Sequence, residues 1–476
     1  MSLAHSDAWA IARHDAHGQA ALVRDGTVPA DTLVEAAILR IEEIDTRLNA
    51  VSYRAYDHAR AALNRVEFAA PMAAVPVLLK ASLAYPGFPQ TSASRAKKDI
   101  VATRAYPFAR QLDAMGLVSV GMSTMPEFGL LCSGEALLTG PTLNPWDATR
   151  TAGGSSTGAA VAVATGLVPF AHASDAAGSI RLPAANCGVI GFKPSRGWNI
   201  RARAHHLIDD LLCNDSLIAR SVRDTAWALR MERPERLNFA AVPRRPLRIA
   251  LDLAGLGGSP DPEIANLIEQ TARLCADLGH HVQAVTVPID RSSLREALFT
   301  LWPFLGGEQV DFFSALQPET PIGDLLEPWT IGLAEKRQGI DPEQLAKCFA
   351  AIAAGERAVA TFHEDWDIIL SPVTPSAPLP VGAMAPTRPF DDLWQTLFDY
   401  VDYTPLHNLV GTPSVSLPLG MTAGLPIGSL FSAAHGCDEL LLSLAGELEE
   451  AAPWADRWPP VVPDEADAPS FASTQG

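Results

Sequence analysis

The chain has 476 residues, 48% apolar and 19% charged, which is ample material for a large packed core. A formal net charge of −18 weighs against nucleic acid or an anionic membrane as the main partner. The six cysteines (Cys132, Cys187, Cys213, Cys275, Cys348 and Cys437) are scattered with no CxxC pair. That pattern argues against a zinc site or a disulfide framework and for buried, reduced thiols.

The opening MSLAHSDAW lacks a basic and apolar leader, and the longest apolar stretch, residues 159–173, is too short to cross a bilayer. A soluble, cytoplasmic protein is expected. Next, Thr32-x-x-Glu35 fits a capping box, and Leu33, Ala37, Ile41, Ile44 and Leu48 form one apolar helical stripe. Residues 75–79 read as a buried strand that carries Lys80 inward. Residues 159–165 read as a small-residue helix able to approach a sheet closely, and residues 189–192 as a short strand. From 221 to 246 a helix gives way to a Pro/Arg-rich loop. A strand at 247–251 and a helix at 262–278 follow; residues 366–370 enter a proline-rich loop at 372–380, and residues 413–420 read as a strand. This alternation predicts an α/β fold, with one domain over residues 1–458 and a fraying tail at 459–476.

Chemistry concentrates in two loops, Gly153-Gly154-Ser155-Ser156-Thr157-Gly158 and Ser174-Asp175-Ala176-Ala177-Gly178-Ser179-Ile180-Arg181. The first leads straight into the small-residue helix, which a flexible linker would not do. It lacks the lysine that a phosphate-cradling loop needs after Gly158. Gly154-x-Ser156-x-Gly158 matches a nucleophile elbow by letter, but loop residues rather than a strand precede it. Ser94-x-x-Lys97 likewise mimics an SxxK motif, with no KTG anywhere to complete it. What remains is Ser155 and Ser179, 24 residues apart, and an upstream lysine. Those are the parts of a serine nucleophile, a relaying hydroxyl and an amine base. Lysine has a reference pKa of about 10.4, and burial can lower it by up to about 3–5 units, so an apolar approach suits a neutral base.

Lys80 and the two serines together resemble the amidase signature family, with a resemblance running from Leu48-Asn49-Ala50-Val51 to Trp454. It is strongest from Gly153 to Gly197, including Ile180-Arg181-Leu182-Pro183-Ala184. The segment His172-Ala173-Ser174-Asp175-Ala176-Ala177-Gly178-Ser179 is similar to the 6-aminohexanoate cyclic dimer hydrolase branch. The resemblance implies a large twisted mixed sheet covered by helices on both faces. It implies Ser179 as nucleophile, Ser155 as a bridging serine in a cis peptide, and Lys80 as base. Backbone N–H groups of Ala176, Ala177, Gly178 and Ser179 would form the oxyanion hole, with Ser156, Asp175 and Arg181 in support. No cofactor and no metal are implied; the partner is a small-molecule amide, and a homodimer is a compatible assembly.

Four departures from the family pattern bear on substrate. Ala81 stands where Asp commonly follows the lysine, Thr157 replaces a glycine, Ala176-Ala177 replace Thr-Gly, and Ser429 follows Gly428 where glutamine is usual. A β-carbon at Ala177 calls for φ below zero there or a strained backbone. Aromatics at Phe299, Trp302, Phe304, Phe312, Phe313, Trp329, Phe390, Trp394, Phe398, Tyr400 and Tyr403 are mostly expected to pack, with a few lining a pocket. An uncharged, fairly apolar amide is therefore favoured: a cyclic or oligomeric ω-amino acid amide, or an anilide. Carbamates and esters suit the same apparatus. A glutaminase-like subunit of a tRNA-dependent amidotransferase is the remaining alternative.

Overall fold

The computed structural model describes residues 3–200, 207–232 and 245–463. In chain order the strands begin with β1 (Val51–Arg54), β2 (Pro76–Lys80), β3 (Val118–Ser123), β4 (Glu135–Ala136), β5 (Gly140–Pro141) and β6 (Phe170–Asp175). They continue with β7 (Gly191–Lys193), β8 (Asn214–Ile218), β9 (Arg248–Leu251), β10 (His281–Ala284), β11 (Ile368–Pro372), β12 (Ser414–Thr422) and β13 (Leu425–Ala433). One sheet runs β1-β3-β2-β6-β8 and another β10-β9-β11-β13-β12-β7, with β4 and β5 paired apart. Ile190, just before β7, bridges Ala219, just after β8, so the two large sheets meet edge to edge. Parallel and antiparallel pairings are mixed throughout, as expected for this α/β fold.

Strand β2 is parallel to both β3 and β6, and all five of its residues are buried. A parallel strand covered on both faces reads as an unbroken apolar run, which is why Val77-Leu78-Leu79 shows no alternation. Its side chains still divide between faces. Leu78 packs with the helices Ala30–Leu48 and Thr157–Ala164, while Val77 and Leu79 pack with Phe108 and Leu112 of helix Pro107–Ala114. Lys80 shares the parity of Leu78 and so faces the helix Thr157–Ala164. It ends β2 beside the end of β6, where open α/β sheets place their ligands.

Helix Thr157–Ala164 is buried along its whole length. A β-carbon on Gly158 would lie 2.1 Å from the Ala50 carbonyl oxygen, so the close approach to the sheet requires glycine there. The apolar stripe of helix Ala30–Leu48 is buried as its spacing indicates. Its start differs. Pro29 is the cap residue and Thr32 N–H donates to the Pro29 carbonyl, so Thr32 lies inside the first turn and no capping box forms. Pro29 itself is extended, with ψ of 150°, and helical backbone begins at Ala30, before the Thr-x-x-Glu signal is reached. A true capping box occurs at Asp341 and Gln344, opening helix Pro342–Asp365. That helix keeps Trp366 as its C-cap, and β11 begins at Ile368.

Helix Val222–Glu232 occupies the start of the 221–246 segment, and the loop expected at 233–244 lies outside the described residues. Trp458 lies under the guanidinium groups of Arg13 and Arg220, at 4.4 and 3.8 Å. Val462 is buried and Arg13 donates to the Pro463 carbonyl, so residues 459–463 pack on the domain. The rest of the expected tail, 464–476, lies outside the described residues. All six cysteines are free thiols. No helix among the described residues is long and apolar enough to cross a membrane.

Candidate active site

Lys80 is 1% exposed, and its side-chain nitrogen reaches three hydroxyls. Nζ donates to Ser155 Oγ at 2.8 Å, Ser156 Oγ at 2.9 Å and Ser174 Oγ at 2.9 Å. Ser156 Oγ also donates to the Ser174 carbonyl and accepts from its N–H, each at 3.2 Å, which locks the loop to β6. The peptide bond between Gly154 and Ser155 is cis. Gly129 faces the Ser155 hydroxyl, and a β-carbon there would lie 3.0 Å from Oγ. Sequence reasoning did not single out Ser174. Its signal was a hydroxyl next to Asp175 at the end of a buried strand.

Around the second serine loop, Asp175 organises the backbone. Its carboxylate accepts from Gly178 N–H at 2.7 Å, Ile180 N–H at 3.1 Å and Asn408 Nδ2 at 2.9 Å. It also accepts from Arg181 through Nε at 2.9 Å and Nη2 at 2.8 Å. Burial by itself pushes the Asp175 carboxyl up, but the Arg181 charge and the hydrogen bonds from Arg181 and Asn408 hold it well below the usual carboxylate range. Arg181 is spread further, donating to Thr404 O, Ser414 Oγ and Asn408 Oδ1. Thr404 and Asn408 lie more than two hundred residues downstream, with no local motif to flag them.

The expected oxyanion set needs one correction. Gly178 N–H is already committed to Asp175, which the tight turn demands, so Gly178 drops out of that set. Among the described residues none accepts from the N–H of Ala176, Ala177 or Ser179, and those three remain available. The positive-φ backbone falls on Gly178, with φ of 130°, and Ala177 stays out of the positive-φ region, which its β-carbon disfavours. Ser156 N–H donates to the Ser179 carbonyl at 3.2 Å, tying the two loops together. Ser155 and Ser179 line one cavity of about 530 Å³ with Lys80. Their hydroxyls make no direct hydrogen bond to each other in this structure.

Apolar walls of that cavity include Met125, Phe128, Leu130, Trp302, Leu305 and Phe313. Gln90 and Tyr106 add hydrogen-bonding groups, and Lys97, Asp209 and Glu308 bring charges of both signs. Trp302 and Trp329 both donate their indole N–H to the Leu130 carbonyl, at 3.3 and 3.1 Å, and so fix one wall. Of the aromatic residues noted in the sequence, Phe299, Phe390, Trp394 and Phe398 mainly stack on one another. The departures are accommodated locally. Ala81 joins a small apolar cluster with Ala93, Met125 and Ala136. Thr157 donates to the Gly153 carbonyl at 2.7 Å and fills space left by Gly134, where a β-carbon would meet its Cγ2 at 2.6 Å. Ser429 pairs with Thr271 at 2.9 Å. Lys97 of the SxxK look-alike donates to Ser92. Among the described residues no group of three or more His, Cys, Asp or Glu is placed to hold a metal ion.

The amidase family profile matches residues 32–442. The chain belongs to the amidase signature family. AmiC of Mycobacterium tuberculosis (strain ATCC 25618 / H37Rv) is 35% identical over 451 residues, 93% of this chain and 95% of that protein. The 6-aminohexanoate-cyclic-dimer hydrolase of Pseudomonas sp. (strain NK87) is 31% identical over 491 residues, 96% of this chain and 97% of that protein. Among solved structures, 6-aminohexanoate cyclic dimer hydrolase complexed with substrate aligns with a TM-score of 0.87 at 29% identity, over 95% of this chain and 100% of that chain. A bacterial aryl acylamidase of the same family aligns with a TM-score of 0.82 at 27% identity, over 93% and 97%. This amidase is a hydrolase of amide C–N bonds.

Proposed function

We propose that Ser179 attacks the carbonyl of an uncharged, fairly apolar amide, with Ser155 and Lys80 moving the proton. Neutral Lys80 accepts the Ser155 proton as Ser155 takes the proton of Ser179 and the Ser179 oxygen bonds to carbon. The N–H groups of Ala176, Ala177 and Ser179 hold the developing oxyanion. On collapse the C–N bond breaks, and the proton returns through Ser155 to the leaving nitrogen, since an amide anion leaves poorly. Water then hydrolyses the acyl-enzyme by the reverse path. Ser156, Ser174, Asp175 and Arg181 orient the loops.

One observation carries this reading: a buried lysine 2.8 Å from a serine hydroxyl that shares its cavity with a second serine. The apolar side of the wall, from Met125, Phe128 and Leu130 to Trp302, Leu305 and Phe313, supports an apolar amide, as do relatives named for a cyclic aminohexanoate dimer or for aryl acylamides. The test is turnover of primary amides, anilides, cyclic amides, carbamates and matched esters by the purified enzyme. A fluorophosphonate is expected to label Ser179, and Ser179→Ala to lower kcat by about 10⁴-fold or more. Lys80→Ala is expected to cut amide hydrolysis more deeply than ester hydrolysis, because only the amine leaving group needs the returned proton. Equal losses on matched amide and ester would contradict the relay.

A further inference from the structure

We propose that this amidase takes a long substrate, whose unbranched apolar chain leaves the catalytic cavity over Ile100 and lies in an open surface groove. The inference rests on the proposed catalytic reading and extends it to substrate class. The groove has a volume of about 750 Å³ and runs between the 95–100 loop and the end of helix Arg291–Leu316. Ile100 belongs to the wall of both the cavity and the groove, so the two adjoin at that side chain.

Large apolar side chains at this mouth are left in water. Ile100 is 38% exposed, Phe312 58% and Leu316 57%, and these are three of the nine exposed large apolar residues among those described. Scattered singly such residues need no explanation, but a cluster leading out of a catalytic cavity does. Phe312 lines the cavity and Leu316 the groove, and their i, i+4 spacing puts both on one face of the helix, about 6 Å apart along its axis. Leu325 continues the apolar floor. Arg95 donates to the carbonyls of Gly323 and Leu326 and fixes that floor. Polar groups line the groove beside these apolar ones, Lys98 and Arg95 against Asp99 and Asp324, with Gln317 and Thr320, so neither sign of charge is favoured in an occupant. An anionic bilayer is a poor occupant for a protein of net charge −18.

The test measures kcat/KM in two homologous series, p-nitroanilides from acetyl to dodecanoyl and N-alkyl benzamides from methyl to dodecyl. In at least one series kcat/KM is expected to climb about twofold per methylene once the chain passes Ile100, roughly half the value of full burial. Leu316→Asp is expected to lower the dodecyl-to-butyl ratio about fivefold or more, and Leu316→Met to keep it. Flat profiles in both series overturn the proposal. So does an unchanged ratio in Leu316→Asp, including the case where that variant alters self-association or vesicle binding instead. Short-chain turnover that Ser179→Ala abolishes shows that the catalytic reading holds whatever the slope, so the two failures are distinguishable.

Discussion

Two pairs of buried groups lie near the cavity of Lys80, Ser155 and Ser179, and they solve the problem of a buried carboxylate in opposite ways. Asp175 and Arg181 are fully buried, and the carboxylate stays charged because a guanidinium, an amide and two backbone N–H groups satisfy it. Glu127 and Glu327 are each 2% exposed but face one another. Glu127 accepts from Ser94 Oγ at 2.8 Å, Thr330 Oγ1 at 2.6 Å and the Glu327 N–H at 2.9 Å, while Glu327 accepts from Leu137 N–H at 2.7 Å. Burial, and then the charge of Glu127, pushes the Glu327 carboxyl up to about 8. The first pair shapes the loop of Ser179. The second ties the wall residues after Glu127 to the helix Pro328–Arg337. Equal burial thus yields a permanently charged support on one side of the cavity and a protonated, titratable one on the other.

The sharpest way to break this contrast is Asp175→Asn. It leaves Arg181 charged, buried and short of its main partner, a situation that costs about 3–5 kcal/mol when one member of a buried pair is removed. Urea unfolding would register the loss, and turnover should fall with it because the Gly178 and Ile180 N–H groups lose their charged acceptor. A variant as stable and active as the parent would mean that the pair does not shape the loop.

Next in size is a pH effect, and its sign follows from the direction of the shift. Glu327 has a folded pKa above its ordinary value of 4.5, so the folded protein holds a proton that the unfolded chain releases. Its contribution is complete below about 4.5 and is lost as pH rises through about 8. The charged groups facing it are Glu127 and Arg95, and the latter pulls the carboxyl down. Stability should therefore fall by on the order of 1–3 kcal/mol between about pH 6 and pH 9, with KM rising as the wall loosens. Glu327→Gln should flatten both profiles. Asp175 behaves in the opposite sense, since its pKa is depressed and its contribution is lost only as pH falls below the usual carboxylate range. A decline above neutrality that Glu327→Gln leaves intact would assign it elsewhere.

The difference between the pairs also marks what could be read along the chain. Asp175 and Arg181 sit six residues apart in one motif, so Lys80, Ser155, Ser179 and this pair were legible together, as was the apolar run that buries the lysine. Glu127 and Glu327 are two hundred residues apart and look like ordinary surface acids, because nothing local records that two loops and a helix close over them. Ser174 was visible but not weighed, since a hydroxyl in a strand usually has a packing role. The commitment of Gly178 N–H to Asp175 is a property of turn geometry, which residue types alone do not reveal.

Thr404 offers the smallest and most discriminating perturbation of the charged side. Its hydroxyl donates to the Ala177 carbonyl at 2.6 Å, and a β-carbon on Gly178 would come within 2.2 Å of it. It therefore sets the tilt of the peptide between Ala177 and Gly178, beside two of the three N–H groups proposed as oxyanion donors. Thr404→Val keeps the shape and removes the donor, at a stability cost of about 1 kcal/mol. If tilt matters, kcat should fall about tenfold, which is about 1.4 kcal/mol, with KM nearly unchanged and with a trifluoromethyl ketone weakened by the same factor. Thr404→Ser should restore all three. A loss confined to stability, with kcat and ketone affinity untouched, would leave Thr404 as packing and place the control of the oxyanion turn in Asp175 alone.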